Sequence, residues 1–143
     1  VKLSKPLLPA RRPRALVVRN ADILQLANRL LAGPHVKLPV RSYFAPGVYA
    51  RELMMPAGTV VVGKEHRTEH LNIMLTGKAT LIIDGQPVEA VAPFVINSKA
   101  GTMKVAAVHE PVRWLTVHPN PGDCRNVCKL EGALTVPFRR KRA

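Results

Sequence analysis

Between residues 43 and 118 the hydrophobic positions fall into short runs, broken at regular intervals by Gly, Pro, Asn or Asp. The runs read VYARELMM, TVVV, LNIMLT, ATLIID, PVEAV, PFVIN, MKVAAV and RWLTVH. Their shortness and their β-branched content predict strands, because branched side chains fit a pleated, half-buried surface. Asp84-Gly85, between ATLII and QPVEAV, has the composition of a tight hairpin turn. Eight such runs in about 75 residues favour a closed antiparallel barrel or jelly roll over an open sheet, since closure leaves few unpaired edges.

The flanks follow a different pattern. Residues 21–31 carry Ile23, Leu24, Ala27, Leu30 and Leu31 on one helical stripe, with Asn20 as N-cap, Asp22 in the first turn and Gly33-Pro34 as the stop. This helix is expected to cover the barrel or to pack on a neighbour. Residues 1–19 mix basic residues, prolines and leucines without a period, as an extended arm would, and Leu3, Leu7, Leu8 and Leu16 make that arm too apolar for a purely solvated tail. After His118 the PNPGD segment breaks the sheet, and a short helical turn is predicted from Asp123 through Leu130. The organisation read from this pattern is a basic apolar arm (1–19), a helix and linker (20–42), a barrel (43–118) and a C-terminal extension with a basic tail (119–143).

Charge sharpens the division. Hydrophobic residues make up 47% of the 143, enough for one core, and the formal net charge is +13. Residues 1–19 and 137–143 hold 10 of the 22 Lys and Arg and no acid, which leaves a near-neutral body. Arg11, Arg12, Arg14, Arg139, Arg140, Lys141 and Arg142 are therefore the candidate assembly-arm residues, suited to phosphate or to an acidic partner surface. Phe138 is the lone aromatic in these tails, so sequence-specific nucleic-acid binding is not expected, while a non-specific electrostatic contact is. Cys124 and Cys128 lack the neighbours of a zinc spacing and read as reduced, partly buried small hydrophobes. No apolar run approaches membrane-spanning length, so no membrane partner is expected.

Candidate chemistry comes from two segments. Pro56-Ala57-Gly58-Thr59, His66, Glu69-His70, Leu71-Asn72-Ile73 and Gly77, followed later by Ala100-Gly101-Thr102, resemble the two conserved motifs of the cupin superfamily. The resemblance implies a mainly β, cupin-like jelly roll, here with one N-terminal helix and extended basic terminal arms. It also implies an inner ligand set at Lys64, His66, His70 and Lys104, where a cupin ordinarily places imidazoles and a carboxylate. An ammonium has no lone pair and repels a cation; at about 5 Å and an effective dielectric of about 20, each lysine costs a bound metal a few kcal/mol. His66 and His70 remain candidate metal ligands, with Glu69 or His109 assisting, although strand alternation puts His109 on the opposite face from Lys104. The other readings are that the two histidines are hydrogen-bonding residues near the barrel mouth, or that Lys64 and Lys104 make an anion pocket with them. Trp114 reads as core. No phosphate loop, nucleophile elbow or His-Glu-x-x-His helix is present.

The segment PAGTVVVGKEHRTEHLNIMLTGKATL is similar to small cupin-type proteins of tailed bacteriophages. That resemblance implies a non-enzymatic virion component, a capsid decoration or cement protein or a tail or connector part, assembled in the host cytoplasm. Its expected partners are other virion proteins and copies of itself, and no cofactor is implied. The alternatives are a metal-dependent cupin enzyme with a divalent metal at a reduced histidine site, and an anion- or nucleic-acid-associated binding module.

Overall fold

A computed structural model describes residues 18–138. Arg11, Arg12, Arg14, Arg139, Arg140, Lys141 and Arg142 lie outside the described residues, and with them the expected assembly arms. The elements run α1 (Asn20–Ala32), β1 (Val40–Ala45), β2 (Gly47–Met55), β3 (Val60–Val62), β4 (Glu65–His66), β5 (His70–Ile83), β6 (Gln86–Val91), β7 (Phe94–Ser98), β8 (Val105–Asn120), α2 (Val127–Leu134) and β9 (Thr135–Val136). Every strand pairing is antiparallel.

Two long strands organise the molecule. The first half of β5 pairs with β7 and with the end of β8, which in turn pairs with β2 and, through it, β1. The second half of β5 pairs with β6 and with the start of β8, whose other edge takes β3. Two sheets therefore share β5 and β8, and these strands turn the corner where their register shifts between Met74 and Ala79. Gly77 makes the corner. At φ +89° its backbone lies so close to Pro111 that a Cβ there would meet the Pro111 carbonyl oxygen at 2.2 Å. The expected breaks after LNIMLT and after MKVAAV are thus bends within continuous strands. Between the sheets sit Met55, Met74, Leu81, Ala106, Val112 and Trp114. The Asp84-Gly85 turn has both residues at positive φ, as a two-residue hairpin with this twist requires.

The barrel is longer than expected at both ends, starting at Val40 and running to Asn120. The added strand VRSYFA follows Pro39 and forms β1 against β2. The N-terminal helix starts one residue earlier than expected. Its N-cap is Arg19, whose backbone N–H donates to the Asp22 carboxylate at 2.9 Å, while Asn20 Nδ2 donates to the Gly101 carbonyl at 2.8 Å. Ile23 buries against Met103 and Val105, with Val62 and Ile82 packed beside them, and Ala27 is buried as well, so α1 covers the outer face of the second sheet; burying a side chain as large as Ile23 contributes about 1.5–3 kcal/mol. The C-terminal helix runs later than expected, from Val127 past Gly132 to Leu134, with Asn126 as N-cap accepting from Lys129 N–H at 3.0 Å. Leu130 and Leu134 seat it against Tyr49. Cys124 precedes this helix, and Cys128, expected to be partly buried, is exposed on it; both are free thiols.

The outer face of the first sheet has no described element over it. Tyr43, Val48, Leu71, Leu75 and Val95 are exposed there, around a buried Glu52 that accepts hydrogen bonds from Tyr43 Oη and Arg113 Nε. Among the described residues no helix is long and apolar enough to cross a membrane.

Candidate functional site

Strand register builds the interior in layers, because directly paired residues of antiparallel strands share a face. Tyr49 of β2 pairs with His118 of β8, Arg51 with Thr116, Leu53 with Trp114 and Met55 with Val112. In β5, Asn72 pairs with Thr116 and Met74 with Trp114. One end of the interior is consequently imidazole, guanidinium and amide, and the other is aliphatic and indole. A cavity of about 390 Å³ runs between them. At its rim α2 is tied down by the Lys64–Glu131 ion pair, 2.6 Å long.

Three histidines meet at the polar end. The His66 and His70 rings stack at 4.0 Å and 21°, His66 and His118 at 5.1 Å and 10°, and His70 lies 5.4 Å from His118. His70 Nδ1 is 2.8 Å from the Thr68 carbonyl, which can only accept, so Nδ1 carries the proton and Nε2 is left as an acceptor. The Lys104 ammonium donates to that Nε2 at 3.4 Å. The Nδ1 atoms of His66 and His118 are buried without a partner among the described residues. Leaving them unprotonated, the less costly state for an orphaned ring nitrogen, puts the ring proton on Nε2.

The electrostatics keep this stack neutral. Burial pushes His66 down to about 3, helped by His70, His118, Lys104 and Arg51. Burial likewise lowers His118 to about 4, and His70 is lowered chiefly by burial, with Lys104 adding to it against the Thr68 hydrogen bond. Lys104 itself is pushed down to about 8 by burial, opposed by the more distant charge of Asp84. Arg51 and Lys104 have no carboxylate within salt-bridge distance among the described residues.

Such a donor set does not fit a transition metal. A metal about 2.0–2.1 Å from an imidazole nitrogen lies in the ring plane, and the His66 and His70 rings stack face to face, centroids 4.0 Å apart, instead of pointing two lone pairs at one ion. The remaining His70 lone pair faces an ammonium. Among the described residues no three His, Cys, Asp or Glu side chains are grouped to hold a metal ion. The helpers expected from the sequence point elsewhere: Glu69 accepts from Asn97 Nδ2 at 2.8 Å on the exterior, and exposed His109 bonds Thr80 at 2.6 Å.

Of the expected set, His66, His70 and Lys104 come together, while Lys64 is drawn off to Glu131. Lys64 and Lys104 nevertheless both line the cavity, with the Lys64 charge matched there by Glu131. Trp114 is core, its Nε1–H donating to Asn72 Oδ1 at 3.1 Å, and it also lines the cavity. Two residues were missed. Arg51 and His118 carry no motif, but alternation along VYARELMM and RWLTVH already puts Arg51 on the face of Tyr49 and Leu53, and His118 on that of Trp114 and Thr116.

Solved structures share this architecture. A cupin superfamily protein from Desulfitobacterium hafniense matches at TM-score 0.51 and 18% identity, over 78% of this chain and 94% of that one. The fold is that of the cupins. A Photorhabdus luminescens protein matches at TM-score 0.53 and 14% identity over 66% of this chain and 85% of its own. DMSP lyase DddQ from Ruegeria pomeroyi, another structure similar to this cupin fold, matches at 0.51 and 16% over 58% and 47%. No family model and no curated protein sequence matches the chain.

Proposed function

We propose that this cupin-fold barrel is a metal-independent binding module that holds a small organic anion and performs no chemistry on it. The observation that carries the reading is the Lys104 ammonium 3.4 Å from His70 Nε2, on the lone pair that a metal would need. The fold leaves the matter open, because the same architecture serves a lyase in Ruegeria pomeroyi. What favours binding over catalysis is a cationic end, Arg51 and Lys104, beside imidazoles too depressed to exchange protons near neutrality. Metal analysis of the full chain purified without chelator is the test. We expect well below one equivalent of iron, manganese, nickel or zinc; a stoichiometric metal lost on His66→Ala would replace this reading with a metal-dependent enzyme.

A second reading concerns the whole particle: the barrel as the rigid body of a structural component in a bacteriophage virion, with the arms joining it to neighbours. Two observations favour it, the apolar outer face of the first sheet and the concentration of basic residues in the terminal segments. Its test is assembly, set out in the Discussion. The readings are compatible, since one uses the interior and the other the exterior and the arms.

A further inference from the structure

The cavity has a direction. Along the inward face of β2 the chain steps from Tyr49 to Arg51, Leu53 and Met55, about 6.7 Å per step, and the facing residues of β8 step from His118 to Thr116, Trp114 and Val112. Polarity therefore falls within two steps, from guanidinium and imidazole to thioether and indole. The Asn72 side chain, at the boundary, is already engaged by Ser98, Trp114 and Thr116. Among the described residues, Arg51 and Lys104 are the half-buried cations of the cavity without a salt-bridge partner; Glu131 and Lys64 also line it but are paired with each other. An unmatched cation beside an apolar well selects an anion with an apolar body, because the ligand then satisfies the charge and fills space that water occupies poorly.

We infer that the cavity takes an amphipathic monocarboxylate, its carboxylate between Arg51 and Lys104 and its hydrocarbon body against Leu53, Met55 and Trp114. This rests on the reading of the cavity as a metal-free anion site. At about 30 Å³ per small heavy-atom group, 390 Å³ admits roughly thirteen non-hydrogen atoms, enough for an eight-carbon chain or a short aryl acid. Arginine supplies the planar fork that matches a carboxylate, and Lys104 supplies a point charge that His70 Nε2 already orients. A bare phosphate would meet the two cations but leave the apolar end unfilled. A neutral alcohol of the same length would leave both cations unmatched. The cavity is open to solvent, and the Lys64–Glu131 pair lies on its lining.

The experiment is calorimetric titration of the full chain with sodium octanoate, 1-octanol and inorganic phosphate at pH 7, on a sample whose metal content has been measured. The variants are Arg51→Gln and Lys104→Met, each shown to be folded by thermal denaturation. We expect one octanoate per chain, octanol and phosphate at least about tenfold weaker, and at least about a tenfold loss of octanoate affinity in each variant. Octanol binding as well as octanoate, or octanoate binding unchanged in both variants, would overturn the inference. Phosphate binding without octanoate would overturn the ligand class and leave the anion-site reading standing. No binding of either anion to a metal-free folded chain would overturn both. A stoichiometric metal would instead remove the underlying reading, whatever octanoate does.

Discussion

At the scale of single residues, burial makes the interior imidazoles and the Lys104 ammonium harder to protonate than in the unfolded chain. His66 and His118, pushed down to about 3 and about 4, are neutral in the fold and protonate in the unfolded chain below about 6.5. Between those values the unfolded chain binds more protons, so stability is full above about pH 6.5 and falls as pH drops toward 4 and 3. Urea melts from pH 7.5 to 4 are expected to show that decline, and His66→Phe should flatten it. Lys104, at about 8, acts with the same sign in a higher pH window. Its ammonium is penalised by burial below about pH 8, and the penalty is relieved between there and its unfolded value of 10.5. Lys104→Met is therefore expected to raise stability by about 1 kcal/mol at pH 7 and by less at pH 9.5, by thermal denaturation. A functional rather than structural reason for Lys104 follows if that gain is found, since the wild-type residue then costs stability.

At the scale of elements, the bent strands and the rim carry the architecture. Gly77→Ala puts a Cβ into the Pro111 backbone at a positive φ, and a loss of about 3 kcal/mol or more in urea denaturation is expected. Lys64→Gln breaks an exposed ion pair, so global stability should change by less than about 1 kcal/mol. Hydrogen exchange in α2 should nevertheless quicken, because the pair is what fastens that helix over the cavity; an unchanged exchange rate would remove its role as a clasp. Much at this scale was legible in the sequence. Alternation and the Asp84-Gly85 turn give the strand rhythm and the hairpin, since both depend on local chemistry. The joining of four runs into β5 and β8 was not legible, because Gly77 reads as a breaker until the Pro111 backbone is known to lie against it. The site divides in the same way. His66, His70 and Lys104 follow motif spacing, and the engagement of Lys64 by Glu131 is a contact across 67 residues that no local pattern contains.

At the scale of the whole molecule, the interior and the exterior have separate tasks. Among the described residues α1 covers the second sheet, and the Val18 N–H donates to the Gly85 carbonyl at 2.8 Å. Deletion of residues 1–17 is therefore expected to leave a folded barrel of unchanged melting temperature, whereas deletion through Arg19 also removes the helix N-cap. On the virion reading, the 1–17 deletion loses assembly with its partners, as seen by sedimentation; an unchanged assembly would count against that reading. The apolar outer face around Tyr43, Leu71 and Val95 gives a second contact surface that the same sedimentation would register.

The claim on which the account depends is that Lys104 and the stacked imidazoles leave no place for a metal. The most direct measurement is the ¹⁵N spectrum of the histidine side chains at pH 7, before and after one equivalent of zinc. Neutral rings are expected for His66, His70 and His118, with the His70 proton on Nδ1 and none of the three shifted by zinc. Coordinated shifts of these three nitrogen signals at one equivalent would contradict it.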